Sequence, residues 1–130
     1  MIEGLAAVLA ADAQVAYALL FGSGALGGGH AESDLDIAIG VSGATRLGLI
    51  DLGTLAAKLE AATGRRVDLI LIDEAPPALA YRIFRDGKTI VVHDKGALSA
   101  RRARAVLEYL DFRPVEQLCA RGVLAAAHGR

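Results

Sequence analysis

Helix-type and strand-type apolar patterns alternate along this chain, which predicts an α/β (α+β) fold: a small mixed sheet of about four strands with helices mainly on one face. Two further observations support that class. The composition is 54% hydrophobic with only 5% aromatic residues, dominated by Ala, Leu, Val and Ile, as in a compact α/β protein rather than a disordered or fibrous one. The 130 residues are enough to bury a substantial core without disulfides or a structural metal. We read residues 1–130 as one domain, with C-terminal helices from about residue 97.

Each element follows from local pattern. Ile2, Leu5 and Leu9 recur at helical spacing, so residues 1–12 form a short amphipathic helix. Val15 to Phe21 reads as a buried strand. Gly22 to Gly29 holds five glycines and no periodic pattern, and is a loop. From residue 34 a second strand places Leu35, Ile37, Ile39 and Val41 on one face and Asp34 and Asp36 on the other. Gly40 to Ala44 is a turn, and Thr45 is placed to cap a helix lined by Leu52, Leu55 and Leu59 and stopped at Gly64. Val67 to Ile72 is a third strand with Asp68 near its start. Pro76 and Pro77 suit the first turn of a helix carrying Leu79 and Ile83, closed by Asp86-Gly87. Lys88 to Val92 is a fourth strand. Val106, Leu107 and Leu110 mark a helix that the sequence interrupts near Pro114, with Val115, Leu118 and Cys119 on a last one.

Bulk properties restrict the function. A net charge of −1 creates no field that collects nucleic acid, and the absence of Trp and scarcity of Tyr argue against base stacking, so no direct nucleic-acid partner is expected. Arg101, Arg102 and Arg104 form a local basic run, read as a solvated helix face. Cys119 is alone, which excludes an intrachain disulfide and suits a reducing cytoplasm. The N-terminus lacks a basic region before its apolar residues, and each apolar run falls well short of the ~20 residues of a membrane span. The expected location is therefore cytoplasmic, away from the membrane. His30, His93 and His128 lack ligand spacing and are expected at the surface, as is Glu32 in the loop.

Gly22-Ser23, ten residues, then Asp34-Leu35-Asp36 carries the chemistry. Alternate residues of a strand face one side, so the two aspartates stand roughly 6 to 7 Å apart and can share a divalent cation. Magnesium takes carboxylate and phosphate oxygens while keeping some waters, so Mg²⁺ is the expected ion and Asp68, on the neighbouring strand, the natural third ligand or proton acceptor. Gly22 lets backbone approach a phosphate, and the Ser23 hydroxyl can donate to phosphate oxygens. The loop lacks the Lys of a P-loop and the glycine spacing of a dinucleotide fingerprint. Together these residues point to metal-dependent nucleotidyl transfer.

The pattern resembles the minimal nucleotidyltransferases of the DNA polymerase β superfamily: Gly-Ser, ten residues, Asp-X-Asp and a later strand acid, matched by Gly22, Ser23, Asp34, Asp36 and Asp68. The likeness continues through Arg82-Ile83-Phe84-Arg85-Asp86-Gly87-Lys88 and Tyr109-Leu110-Asp111-Phe112-Arg113-Pro114, covering nearly the whole chain. It implies a polymerase β-like nucleotidyltransferase fold and an antitoxin that pairs with a HEPN-family toxin ribonuclease and transfers AMP from ATP to its tyrosine hydroxyl. The same resemblance admits a binding-only antitoxin that masks its toxin, or transfer of a nucleotide to a small molecule, and either a homo- or a hetero-oligomer. One departure bears on activity. The family often reads Ser-Arg-Ala-Arg-Gly after the glycine, whereas this chain reads Ser23-Gly24-Ala25-Leu26-Gly27. Without those bidentate phosphate forks, triphosphate affinity and activity should fall, or the task should pass to Arg65, Arg66 or another basic side chain.

Overall fold

Strand β1 (Tyr17–Phe21) is apolar at every position, so both of its faces require cover, and the architecture follows from that need. The computed structural model describes residues 2–22 and 34–121, with 112–121 as backbone alone. Around β1 run α1 (Ile2–Ala11), β2 (Leu35–Gly40), α2 (Leu49–Thr63), β3 (Val67–Leu71), a short 3-10 turn (Ile72–Glu74), α3 (Pro77–Asp86), β4 (Lys88–Val92) and α4 (Lys95–Arg121). The strands form one mixed sheet in the order β3-β2-β1-β4. β1 is antiparallel to both β2 and β4, while β2 and β3 are parallel and joined through α2.

The expected four-stranded mixed sheet is thus present, but its helices, expected mainly on one face, are divided between the two. On one side Ala18, Leu20, Leu35, Ile37, Ile39 and Val67 pack with Leu5 and Leu9 of α1 and Leu55 and Leu59 of α2. On the other, Tyr17, Leu19 and Ala38 pack with Ala80, Ile83 and Phe84 of α3 and Leu98 and Ala105 of α4. The alternation of side chains along β1 sends neighbouring residues into different cores. Burial of these aliphatic side chains, about 1.5 to 3 kcal/mol each, is the main force holding the layers.

Gly64 ends α2 with φ +70°, as its sequence position predicts, and its N–H bonds the Glu60 carbonyl at 2.8 Å. The start of α2 differs. Gly48, not Thr45, is the capping residue, its N–H donating to Asp51 Oδ2 at 2.9 Å, while the Thr45 N–H is spent in a turn to the Ser42 carbonyl. Pro76 and Pro77 open α3 as expected, Pro76 as the cap. Gly87 closes it tightly: its N–H bonds the Ile83 carbonyl, and a Cβ there would come 3.2 Å from the Leu20 carbonyl oxygen, which brings the end of α3 against β1.

The C-terminal segment departs most from expectation. The backbone of α4 stays helical through Pro114 to Arg121, although a proline there forgoes one ladder hydrogen bond and crowds the carbonyl four residues before it. Its inward face is Leu98, Arg101 and Ala105, whereas Val106, Leu107 and Leu110 are exposed. Arg101 is correspondingly not solvated: it is 7% exposed, with Nε 2.9 Å from Asp73 Oδ1 and Nη2 3.3 Å from the Ile72 carbonyl oxygen. Its long apolar stem occupies core space while the head reaches acceptors on the 3-10 turn.

Candidate functional site

The end of β1 and the start of β2 meet at a pairing of Phe21 with Asp36, and the parallel register sets Asp36 directly opposite Asp68 of β3. Register partners in a sheet share a face, so Asp36 and Asp68 stand on the side of Leu19 and Ala38. Asp36 and Asp34 are half-buried and Asp68 is exposed. The opposite face of β2, Leu35, Ile37 and Ile39, is fully buried, as the sequence parity predicts. Position and anchorage of Asp36 therefore come from the same six-residue strand, and Asp34, expected on it, lies immediately before its first residue.

Gly22 completes the corner. Its φ of +73° lies in the left-handed region, and a Cβ at this position would stand 2.5 Å from Asp36 Oδ2. Only glycine satisfies both conditions, so the backbone after β1 and the Asp36 carboxylate are held in near contact. Ser23 lies outside the described residues.

Electrostatics agree with a cation-seeking site. The Asp36 carboxyl is pushed above its ordinary value of 3.8, first by burial, then by the charge of Asp68 and then by that of Asp34. Among the described residues no three His, Cys, Asp or Glu side chains are gathered closely enough to cage a metal ion by themselves. Asp34, Asp36 and Asp68 are nonetheless all-oxygen donors of the kind magnesium takes, and Mg²⁺ ordinarily completes its shell with waters and substrate phosphate oxygens. The residues present fit such an ion.

Beside this corner is a cavity of about 320 Å³ lined by Phe21, Gly22, Leu79, Arg82, Ile83 and Asp86. Its wall on α3 was not legible as part of a site, because Arg82 reads in sequence only as one member of a helix-to-strand junction. The sole signal was its place one residue before the buried Ile83, on a helix whose end abuts β1. Arg85, three residues further along the same helix, is engaged in a two-pronged pair with Asp86, Nε to Oδ1 at 2.9 Å and Nη2 to Oδ2 at 2.8 Å.

Comparison with known proteins supplies the class. The family model "Polymerase beta, Nucleotidyltransferase" matches residues 3–96, so the chain belongs to that family. No curated protein matches the sequence. Among solved structures, the chain is similar to one from a toxin-antitoxin complex with AMP-PNP, at 24% identity and TM-score 0.78, covering 95% of this chain and 98% of that one. A second is from the tri-AMPylated Shewanella oneidensis HEPN toxin in complex with MNT antitoxin, at 22% identity and TM-score 0.72, covering 95% and 99%. A third, described as a putative minimal nucleotidyltransferase, has 29% identity and TM-score 0.54 over 64% of this chain and 85% of that one. These likenesses bear out the polymerase β-like fold expected from the sequence. Among the described residues no helix is long and apolar enough to cross a membrane.

Proposed function

We propose that this chain is a cytoplasmic antitoxin that transfers AMP from ATP to a hydroxyl, a tyrosine side chain, of a cognate HEPN toxin and so neutralises it. The observation that carries the reading is the contact between the left-handed Gly22 backbone and Asp36, opposite Asp68 on the parallel strand. Family membership supports the reaction class, and the AMP-PNP and AMPylated-toxin complexes of similar chains support the nucleotide and the partner.

In this reading Asp34 and Asp36 hold Mg²⁺, with Asp68 as a third ligand. When bound, the ion neutralises phosphate charge and makes the α-phosphorus more electrophilic. Gly22 and the following Ser23 grip the β- and γ-phosphates. The acceptor oxygen forms a bond to the α-phosphorus as the bond to the bridging oxygen of pyrophosphate breaks. Asp68, exposed at the outer strand, takes the hydroxyl proton, which suits a phenol whose free pKa is near 10.

A second reading, masking of the toxin by contact alone, is favoured by the exposed Val106, Leu107 and Leu110 on α4 together with the arginine-free loop. One experiment separates the two. Co-expression with a HEPN toxin that forms a complex with this chain, followed by mass spectrometry, should show adenylate on the toxin with the parent chain and neither adenylate nor protection with Asp34→Asn/Asp36→Asn. Full protection by that double variant in an intact complex would establish masking and defeat the catalytic reading.

A further inference from the structure

We infer that Arg82 grips the nucleotide phosphates from α3, replacing the arginines that the loop after Gly22 lacks; this rests on the nucleotidyltransferase reading above. Three observations converge on it. Arg82 and Gly22 line the same cavity, whose volume of about 320 Å³ is of the size that accepts part of a small ligand. Arg82 is exposed, with no carboxylate partner among the described residues, whereas Arg85 and Asp86 on the same helix turn satisfy each other through two hydrogen bonds. Asp86 also lines the cavity, but its carboxylate is taken up by Arg85, which leaves the Arg82 guanidinium as the cation of the lining. Finally, positions 24 and 26 are Gly and Leu, so a triphosphate drawn to Gly22 meets no cation from those loop positions.

The chemistry suits the ligand. A guanidinium presents a planar fork that pairs with two phosphate oxygens at once, and it stays charged at any physiological pH. The cavity floor of Phe21, Leu79 and Ile83 is apolar, which lowers the local dielectric and strengthens a charge-assisted contact at its rim. Arg82 also sits on a helix fixed by the buried Ile83 and Phe84 rather than on a loop, so little order must be gained on binding. Arg66 is the natural competitor, because it shares strand parity with Asp68. It does not line the cavity beside Gly22.

Calorimetry with Mg²⁺ and AMP-PNP on the full chain tests the assignment. Arg82→Ala should weaken binding about tenfold, which corresponds to about 1.4 kcal/mol. Arg82→Lys should recover part of it, since the charge is kept and the fork lost. Lys58→Ala, an exposed cation on α2 across the sheet, should bind as the parent does. If Arg82→Ala binds like the parent, or if Arg66→Ala alone causes the loss, the assignment fails while the nucleotidyltransferase reading stands. If the parent chain binds no nucleotide in the presence of Mg²⁺, both fall. Retained melting temperature in Arg82→Ala separates a lost contact from a lost fold.

Discussion

Gly22 and Asp36 constrain each other, and substitution at either has consequences of opposite sign for the empty protein. Gly22→Ala places a Cβ 2.5 Å from Asp36 Oδ2 on a backbone of φ +73°. It should destabilise the fold by about 1 to 2 kcal/mol in urea unfolding and abolish Mg²⁺-dependent AMP-PNP binding. Asp36→Asn should do otherwise. The Asp36 pKa is raised in the folded protein, so above the ordinary value of 3.8 its charged form opposes folding, and this penalty vanishes as the pH falls below that value. The Asn variant should therefore melt at or above the temperature of the parent at neutral pH, yet lose cation-dependent nucleotide binding. A melting temperature well below the parent's would show that Asp36 has a structural role instead. The acidic residues were legible because strand parity and the Gly-Ser spacing depend only on local sequence. Arg82 was not, because the cavity it lines exists only where the end of β1 meets α3.

At the scale of elements, α4 is held at its start by Asp94 and along its length by Arg101. Asp94 Oδ1 accepts from the Ala97 N–H at 2.9 Å, and its Oδ2 accepts from the Ser42 hydroxyl at 2.7 Å. Hydrogen bonds from Ala97, then Ser42, lower the Asp94 pKa below 3.8. A depressed carboxylate pKa contributes stability that is complete above the unfolded value and is lost as the pH falls through the folded one. Ser42→Ala should accordingly shift the acid-unfolding midpoint upward, measured by circular dichroism between pH 5 and about 2. Further along, Asp73→Asn removes the charge facing Arg101 Nε at 2.9 Å and Arg104 Nη2 at 2.9 Å. Arg101 Nη1 is already buried without a hydrogen bond, its nearest carboxylate being Glu108 at 3.6 Å. The substitution should cost about 2 kcal/mol, seen as a lower urea midpoint with unchanged slope. Sequence periodicity located α4 but placed Arg101 on a solvated face. The apolar triplet Val106, Leu107 and Leu110 outweighed an arginine in any hydropathy pattern, and only the acceptors on the 3-10 turn make Arg101 a core residue.

For the whole molecule, the site lies at the side of the sheet where β1, β2 and β3 deliver separate groups, so occupancy and stability are linked. A ligand that binds only the folded chain adds RT ln(1 + [L]/Kd), about 2.7 kcal/mol at a hundredfold excess over Kd. Mg²⁺ with AMP-PNP should thus raise the melting temperature, and Asp34→Asn/Asp36→Asn should abolish that rise. Equal thermal shifts in both proteins would place nucleotide elsewhere. The alternation of elements, the four strands and the apolar and acidic faces of β2 could be read in advance, whereas the division of helices between two faces depended on the unbroken apolar run Tyr17 to Phe21, which offers no polar side to leave bare.

The parallel pairing of β2 with β3 requires a crossover that the antiparallel pairing of β1 with β2 does not. Antiparallel neighbours β1 and β2 bring Gly22 and Asp36 together directly, but Asp68 can take its place only after the crossover through α2 has docked and closed a long loop. The neighbourhood of Gly22 and Asp36 thus rests on a pairing of short sequence separation, whereas that of Asp36 and Asp68 rests on a longer one.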